Sequence, residues 1–222
     1  MKDYQREFLK FVISSDALRF GEFSLKSGRI SPYFFNAGQF KSGESISRLA
    51  SFYARTLADS IAEDFMLFGP AYKGIPLATA TAMTMARDFN RDIPFAYDRK
   101  EPKDHGEGGA LVGSPLEGPV IIIDDVITAG LSVDHSVRLI RESGARPAGV
   151  VIALDRQERA RDSSTSAVQD VENRHGIPVY PIVTMETMIE YLKQTTEKHQ
   201  VDLDPLVRYR EQYGAQTKPK QV

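Results

Sequence analysis

Apolar positions along the chain follow two rhythms. Phe8, Leu9, Phe11 and Val12 form one stripe within residues 3–15, and Ile46, Leu49, Ala50, Tyr53, Leu57 and Ile61 form another across Ser42 to Ala62. That spacing predicts amphipathic helices. Alanine-rich Gly74 to Arg87, the segment Ser132 to Ser143, and the stretches Met185–Lys198 and Pro205–Tyr213 read as further helices. Between them stand short apolar runs: Phe65 to Phe68, Pro94 to Tyr97, Val120 to Ile123, Val150 to Leu154 and Val179 to Val183. Runs of this length, bounded by turn residues, predict buried strands. Near the start, extended pieces at Phe20–Lys26 and Tyr33–Asn36 flank a Ser27-Gly28-Arg29 turn. Strands alternating with helices predict an α/β fold with a central, mostly parallel sheet covered on both faces. Arg99 to Gly109 mixes charges and glycines without apolar periodicity, so a mobile surface loop is expected there. Gly214 to Val222 is polar and is expected to fray.

Composition narrows the class. With 222 residues the chain is long enough for a substantial core, in one α/β domain with an appendage or a small two-part domain. A formal charge of -2 argues against a protein built for nucleic acid. No apolar run approaches the ~20 residues that span a bilayer, and the N-terminus lacks the apolar core of a signal peptide. Cysteine is absent, which excludes disulfides, thiolate metal sites and thiol nucleophiles. A cytoplasmic protein is the expectation.

The most telling run is Val120-Ile121-Ile122-Ile123-Asp124-Asp125-Val126-Ile127-Thr128-Ala129-Gly130. A buried strand delivers two carboxylates to a sheet edge, where α/β proteins bind ligands. A Thr-Ala-Gly turn then opens a helix whose N-terminal N–H groups suit an anion. Carboxylates beside such a turn can hold sugar hydroxyls or a hydrated Mg²⁺; they can also be a solvated strand end. Three other loops carry matching groups. Gly69 to Pro76 holds Tyr72 and Lys73 in a tight turn suited to a polyphosphate, or serves as a plain connection. Arg99, Lys100, Lys103 and His105 lie in a segment that reads either as a closing flap or as a hairpin tip. Arg156 follows the Val150–Leu154 strand, where it can grip a carboxylate bidentately or make a surface ion pair. Neither of the common nucleotide motifs, the lysine-bearing P-loop or a strand-linked G-x-G-x-x-G, is present.

Four blocks in order carry a specific resemblance. Lys26-Ser27-Gly28-Arg29-Ile30-Ser31-Pro32-Tyr33-Phe34-Phe35-Asn36-Ala37-Gly38, Tyr72-Lys73-Gly74, Tyr97 to His105 and Asp124 to Gly130 together resemble orotate phosphoribosyltransferases. The match runs from about Phe20 to Arg156. It implies the type I phosphoribosyltransferase fold. Residues 1–40 would be an N-terminal helix and hood, residues 41–213 an α/β core with a lid loop at 99–110, and residues 214–222 a flexible tail. The implied reaction transfers the 5-phosphoribosyl group of phosphoribosyl pyrophosphate (PRPP) to N1 of orotate, with Mg²⁺, in pyrimidine biosynthesis. By position, Lys26, Phe34, Phe35, Thr128 and Arg156 would hold orotate. Lys26, Tyr72, Lys73, Arg99, Lys100, Lys103, His105, Asp124, Asp125, Val126, Ile127, Thr128, Ala129, Gly130, Leu131 and Ser132 would bind PRPP. Lys103, His105, Asp124 and Asp125 would carry the catalysis, with Mg²⁺ bound mainly through PRPP beside the two acids. A homodimer with the lid acting across its interface is implied as well. The chain departs from the family at Leu131, where another threonine is common; weaker or rearranged phosphate contact is expected, with Ser132 offering a hydroxyl one step later.

No Ser/His/Asp signature is present, so catalysis should rest on positioning and electrostatics. Two other readings stay open on the residues alone. One is the same chemistry with a purine or uracil, against which the cations Lys26 and Arg156 favour a base bearing a carboxylate. The other is a PRPP-sensing regulator, which would need a basic DNA-binding module that the chain lacks.

Overall fold

Strand β6 (Pro119–Asp124) shows why the chain folds in three layers. Its alternate side chains feed two separate cores: Ile121 and Ile123 pack into one, Val120 and Ile122 into the other. A strand buried on both faces needs helices on both. In this computed structural model, which describes residues 1–25, 27–103, 109–159, 163–199 and 201–215, the first core is covered by α1 (Asp3–Ser14), α2 (Gly43–Ser60), α3 (Gly74–Phe89) and α6 (Met185–His199). The second is covered by α4 (Leu131–Glu142) and α5 (Ala167–His175).

The central sheet has six strands, in the order β5-β4-β3-β6-β7-β8. They are β3 (Met66–Gly69), β4 (Phe95–Lys103), β5 (Gly109–Gly113), β6, β7 (Arg146–Asp155) and β8 (Val179–Thr184). All neighbours are parallel except β4 and β5. The mostly parallel sheet flanked by helices is the predicted one. Its carboxyl edge gathers the loops after Gly69, Asp124 and Asp155. Local signals start the helices where expected. Ser42 caps α2, its hydroxyl accepting the Ser45 N–H at 3.2 Å, and Ser166 caps α5 through the Gln169 N–H at 3.2 Å.

A second, two-stranded antiparallel sheet pairs β1 (Leu18–Ser24) with β2 (Ile30–Phe35). Ser31, Tyr33 and Phe35 are its buried positions, which follow the period-two alternation of a half-buried strand. The hood is not N-terminal alone. α7 (Asp204–Tyr213) packs against β2, and Tyr209 meets Tyr33 edge-on with centroids 6.5 Å apart. α1 joins the main core through Phe8 and Leu9.

Two expectations need correction, and one helix had none. Residues 99–103 continue strand β4, with Lys103 in register with Gly109, because β5 supplies an antiparallel partner. Pairing fixed by a neighbour strand leaves no trace in apolar periodicity; of the two readings of this segment, the hairpin agrees with the antiparallel β4–β5 pairing. The tip at 104–108 lies outside the described residues. Gly214 and Ala215 are held in place rather than frayed: Gly214 bridges to Glu158, and the Ala215 N–H donates to the Gln157 carbonyl at 2.8 Å. Residues 216–222 lie outside the described residues. Lastly, α5 went unpredicted, since only Val168 and Val171 on it are buried.

Candidate functional site

β6 carries Asp124 and Asp125 to the sheet edge, and neighbouring backbone locks them there. Asp124 Oδ1 accepts the Asp125 N–H at 2.9 Å, and Asp125 Oδ1 accepts the Val126 N–H at 3.0 Å. Beneath them the buried Tyr53 of α2 donates its hydroxyl to the Asp124 carbonyl at 2.9 Å. Burial and the neighbouring Asp125 charge push the Asp124 carboxyl up to about 6, against a hydrogen bond from Ser132. Such a group, short of solvent, gains from any donor or cation brought to it. Asp125 has a partner already: Lys73 Nζ, from the loop between β3 and α3, lies 2.6 Å from Oδ2.

The turn after the acids is built as the sequence suggests. Gly130 caps α4 with φ +75°, a left-handed geometry, and a Cβ there would lie 3.0 Å from Val171. Thr128 and Ala129 are exposed. Val126 and Ile127 pack inward instead, Ile127 being buried. The Leu131 side chain is exposed to solvent at 74%, so it does not fill the turn.

The loop after Gly69 is held from two sides. Lys73 reaches Asp125, while the Ala71 N–H donates to Asp98 Oδ1 at 2.6 Å. Gly69 and Gly74 touch so closely that a Cβ on Gly69 would sit 2.2 Å from the Gly74 carbonyl oxygen. A cavity of about 540 Å³ opens between Tyr72, Lys73, the Ala37–Gly38 turn and the start of α2, a size that suits a sugar-phosphate ligand. A larger groove of about 1310 Å³ lies between β1–β2 and α7, lined by none of the predicted site residues.

Arg156 sits in a cage. Its NH2 lies 2.6 Å from Glu158 Oε1 and 3.0 Å from Ser31 Oγ, and its guanidinium stacks over the Tyr33 ring at 4.4 Å. Tyr209 of α7 adds a buried hydroxyl beside Arg156 and Glu158. The Glu158 and Ser31 contacts both use NH2, and a planar guanidinium has further donors with which to meet a carboxylate. Phe35 lies on the same strand face as Ser31 and Tyr33, whereas Phe34 turns to the opposite face and stacks on Phe23 at 5.6 Å. Only one of the two rings can therefore touch a base from β2 with its side chain. Arg99 is half-buried on β4, and its NH1 is buried with no hydrogen-bond partner among the described residues. Lys26 and His105 lie outside the described residues, as do the side chains of Lys100 and Lys103.

The edge thus collects Tyr72, Lys73, Asp124, Asp125, the Thr128–Ser132 turn and Arg156. Sequence reasoning missed Asp98, His135, Glu158 and Tyr209, and saw Tyr53 only as a core position. Asp98, His135, Glu158 and Tyr53 each make a hydrogen bond that reaches 27 to 125 residues along the chain, and no local pattern announces such pairs.

Paired acids, a glycine-capped helix start and a lysine-bearing loop thus meet at one edge of an α/β sheet, where such folds bind ligands. In agreement, the family model described as a phosphoribosyl transferase domain matches residues 38–181. The orotate phosphoribosyltransferase of Yersinia enterocolitica is 54% identical over 96% of this chain and all of its own length. That of Bordetella avium is 56% identical over the same share of this chain and all of its own. The crystal structure of the Francisella tularensis orotate phosphoribosyltransferase superposes with a TM-score of 0.84 at 41% identity, covering 94% of this chain and all of that one. The chain belongs to the orotate phosphoribosyltransferase family.

Proposed function

We propose that the protein transfers the 5-phosphoribosyl group from PRPP to N1 of orotate, giving orotidine 5'-monophosphate and pyrophosphate in pyrimidine biosynthesis. The Arg156 cage carries this reading. A half-buried guanidinium, roofed by the hood and set on the same edge as the acid pair, suits a planar base bearing a carboxylate. Uracil and purines offer it no such partner.

In this reading Arg156, Thr128, Lys26 and the Phe34–Phe35 strand hold orotate. Asp124 and Asp125 accept the ribose hydroxyls, and the turn from Val126 to Ser132 cradles the 5'-phosphate. Tyr72, Lys73, Arg99, Lys100, Lys103 and His105 address the pyrophosphate. The C1'–oxygen bond breaks as positive charge grows on the ribose and negative charge on the departing diphosphate. No protein nucleophile takes part. Asp124 and Asp125 stabilise the sugar cation through its hydroxyls, and the lid cations stabilise the leaving group.

Among the described residues no cluster of three or more acidic or histidine side chains could hold a metal. Two carboxylates, one already paired to Lys73, fit a Mg²⁺ that takes most of its oxygens from substrate and water. Bound so, Mg²⁺ would neutralise diphosphate charge with Asp124 and Asp125 beside it. We further take the enzyme to act in the cytoplasm as a homodimer with the lid crossing the interface; sedimentation as a monomer at working concentration would contradict the second point.

The base assignment is tested with Arg156→Ala. The Michaelis constant for orotate should rise at least tenfold, as loss of a charged bidentate contact implies, with that for PRPP little changed. A loss confined to PRPP would move Arg156 to the other substrate.

A further inference from the structure

We propose that Asp98 and His135 are positioning residues that tie the Tyr72–Lys73 loop to helix α4, so that both phosphate-bearing ends of the donor meet one hydrogen-bonded unit. The proposal rests on the reading of Tyr72 and Lys73 as pyrophosphate contacts and of the α4 start as the 5'-phosphate site. Asp98 lies on β4 next to Tyr97, which pairs with Gly69, and is only 5% exposed. Its two oxygens serve different elements. Oδ1 accepts the Ala71 N–H at 2.6 Å, and Oδ2 lies 3.1 Å from His135 Nε2 on α4. Arg138 NH2 stands 3.0 Å from His135 Nδ1. A guanidinium can only donate, so Nδ1 accepts, and Nε2 must carry the proton given to Asp98. The chain of donation therefore runs Arg138 to His135 to Asp98, with Ala71 arriving from the other side.

Ordinary packing does not call for a carboxylate at this place. A buried charge is costly unless its partners satisfy it, and an apolar side chain would fill the space without that cost. What the carboxylate adds is direction: it fixes one backbone N–H immediately before Tyr72 while anchoring to the second turn of the helix that begins at Leu131. Lys73 is fastened on the far side by Asp125, so the loop is pinned at both ends. A loop already in its binding geometry spares the ordering cost when the donor arrives.

The test is steady-state kinetics on the full chain, with Michaelis constants for PRPP and orotate, the inhibition constant of pyrophosphate, and a thermal melt for each variant. Asp98→Ala should raise the PRPP Michaelis constant and the pyrophosphate inhibition constant about tenfold, the size expected when one charged hydrogen bond is lost. The orotate value should stay within about twofold of the parent, below what one lost hydrogen bond produces. Asp98→Asn keeps an amide oxygen for the Ala71 N–H but turns an NH₂ donor toward the His135 Nε2–H, so it should recover only part of the loss. His135→Ala, at a half-exposed position, should fall between. A folded Asp98→Ala with unchanged PRPP kinetics, or with both substrates weakened equally, would overturn the proposal. If Asp98→Ala does not fold, His135→Ala decides alone: an unchanged PRPP constant sinks it. Lys73→Ala separates the two layers. If Lys73→Ala weakens PRPP while Asp98→Ala and His135→Ala do not, only the positioning role fails; if Lys73→Ala has no effect, the loop reading fails and takes the proposal with it.

Discussion

Asp155 offers a quantitative check on how the sheet edge is strained. It ends β7, directly before Arg156, where burial chiefly, with Glu172 and Glu158 adding repulsion, pushes its carboxyl up to about 6 from 3.8 despite a hydrogen bond from Gln157. Ionising it in the fold then costs about 3 kcal/mol more than in the open chain, at about 1.4 kcal/mol for each pH unit between the two values. The sign follows from proton binding. Between about pH 4 and 6 the folded chain holds a proton that the unfolded chain has released, so stability falls as pH rises through that window. Below it the penalty is absent, and above it the penalty is complete. Asp155→Asn removes the charge while its amide oxygen still accepts the Gln157 N–H, now 2.8 Å from Oδ1. The variant should gain about 2–3 kcal/mol over the parent at pH 8 and close to nothing at pH 4. For a chain of this size that is on the order of 5–10 °C in Tm. Parallel thermal or urea melts from pH 4 to pH 8 read the difference. A gain independent of pH, or a loss at pH 8, would refute the reasoning.

Other substitutions bear on the loops. Lys103→Ala should lower turnover by about 10²–10³, the usual loss when one strong charge contact leaves a closed site; near-full turnover would remove Lys103 from the lid. Leu131→Thr, at an exposed position, restores a hydroxyl to the phosphate turn and should lower the PRPP Michaelis constant severalfold, about 1 kcal/mol for one hydrogen bond, with stability unchanged by melt. An unaltered constant would mean that backbone N–H groups alone hold the phosphate. Gly130→Ala forces a side chain into left-handed backbone 3.0 Å from Val171, so a cost of about 1–2 kcal/mol and weaker PRPP binding are expected; a variant as stable as the parent would show that the turn relaxes freely.

What the sequence made legible was whatever local pattern records. β6 and its acids were readable because four β-branched residues end in a carboxylate pair, and α2 because its apolar stripe repeats at helical spacing. β5 was not, since Gly-Ala-Leu-Val-Gly is short and takes its shape from pairing with β4. The charged run from Arg99 to Lys103 looked like loop for the same reason: a hairpin partner, not an apolar face, makes it strand. Site residues divided likewise. Asp124, Lys73 and Arg156 stand beside strand ends and turns that flag them. Asp98 and Glu158 matter through what they touch across the fold, and α7 completes the hood from the far end of the chain.

The central claim is most directly tested by following orotate absorbance with PRPP, with and without Mg²⁺. The account predicts loss of orotate only when PRPP and Mg²⁺ are both present, with orotidine 5'-monophosphate and pyrophosphate formed in equal amounts. Orotate left intact by a folded enzyme that binds PRPP would contradict it.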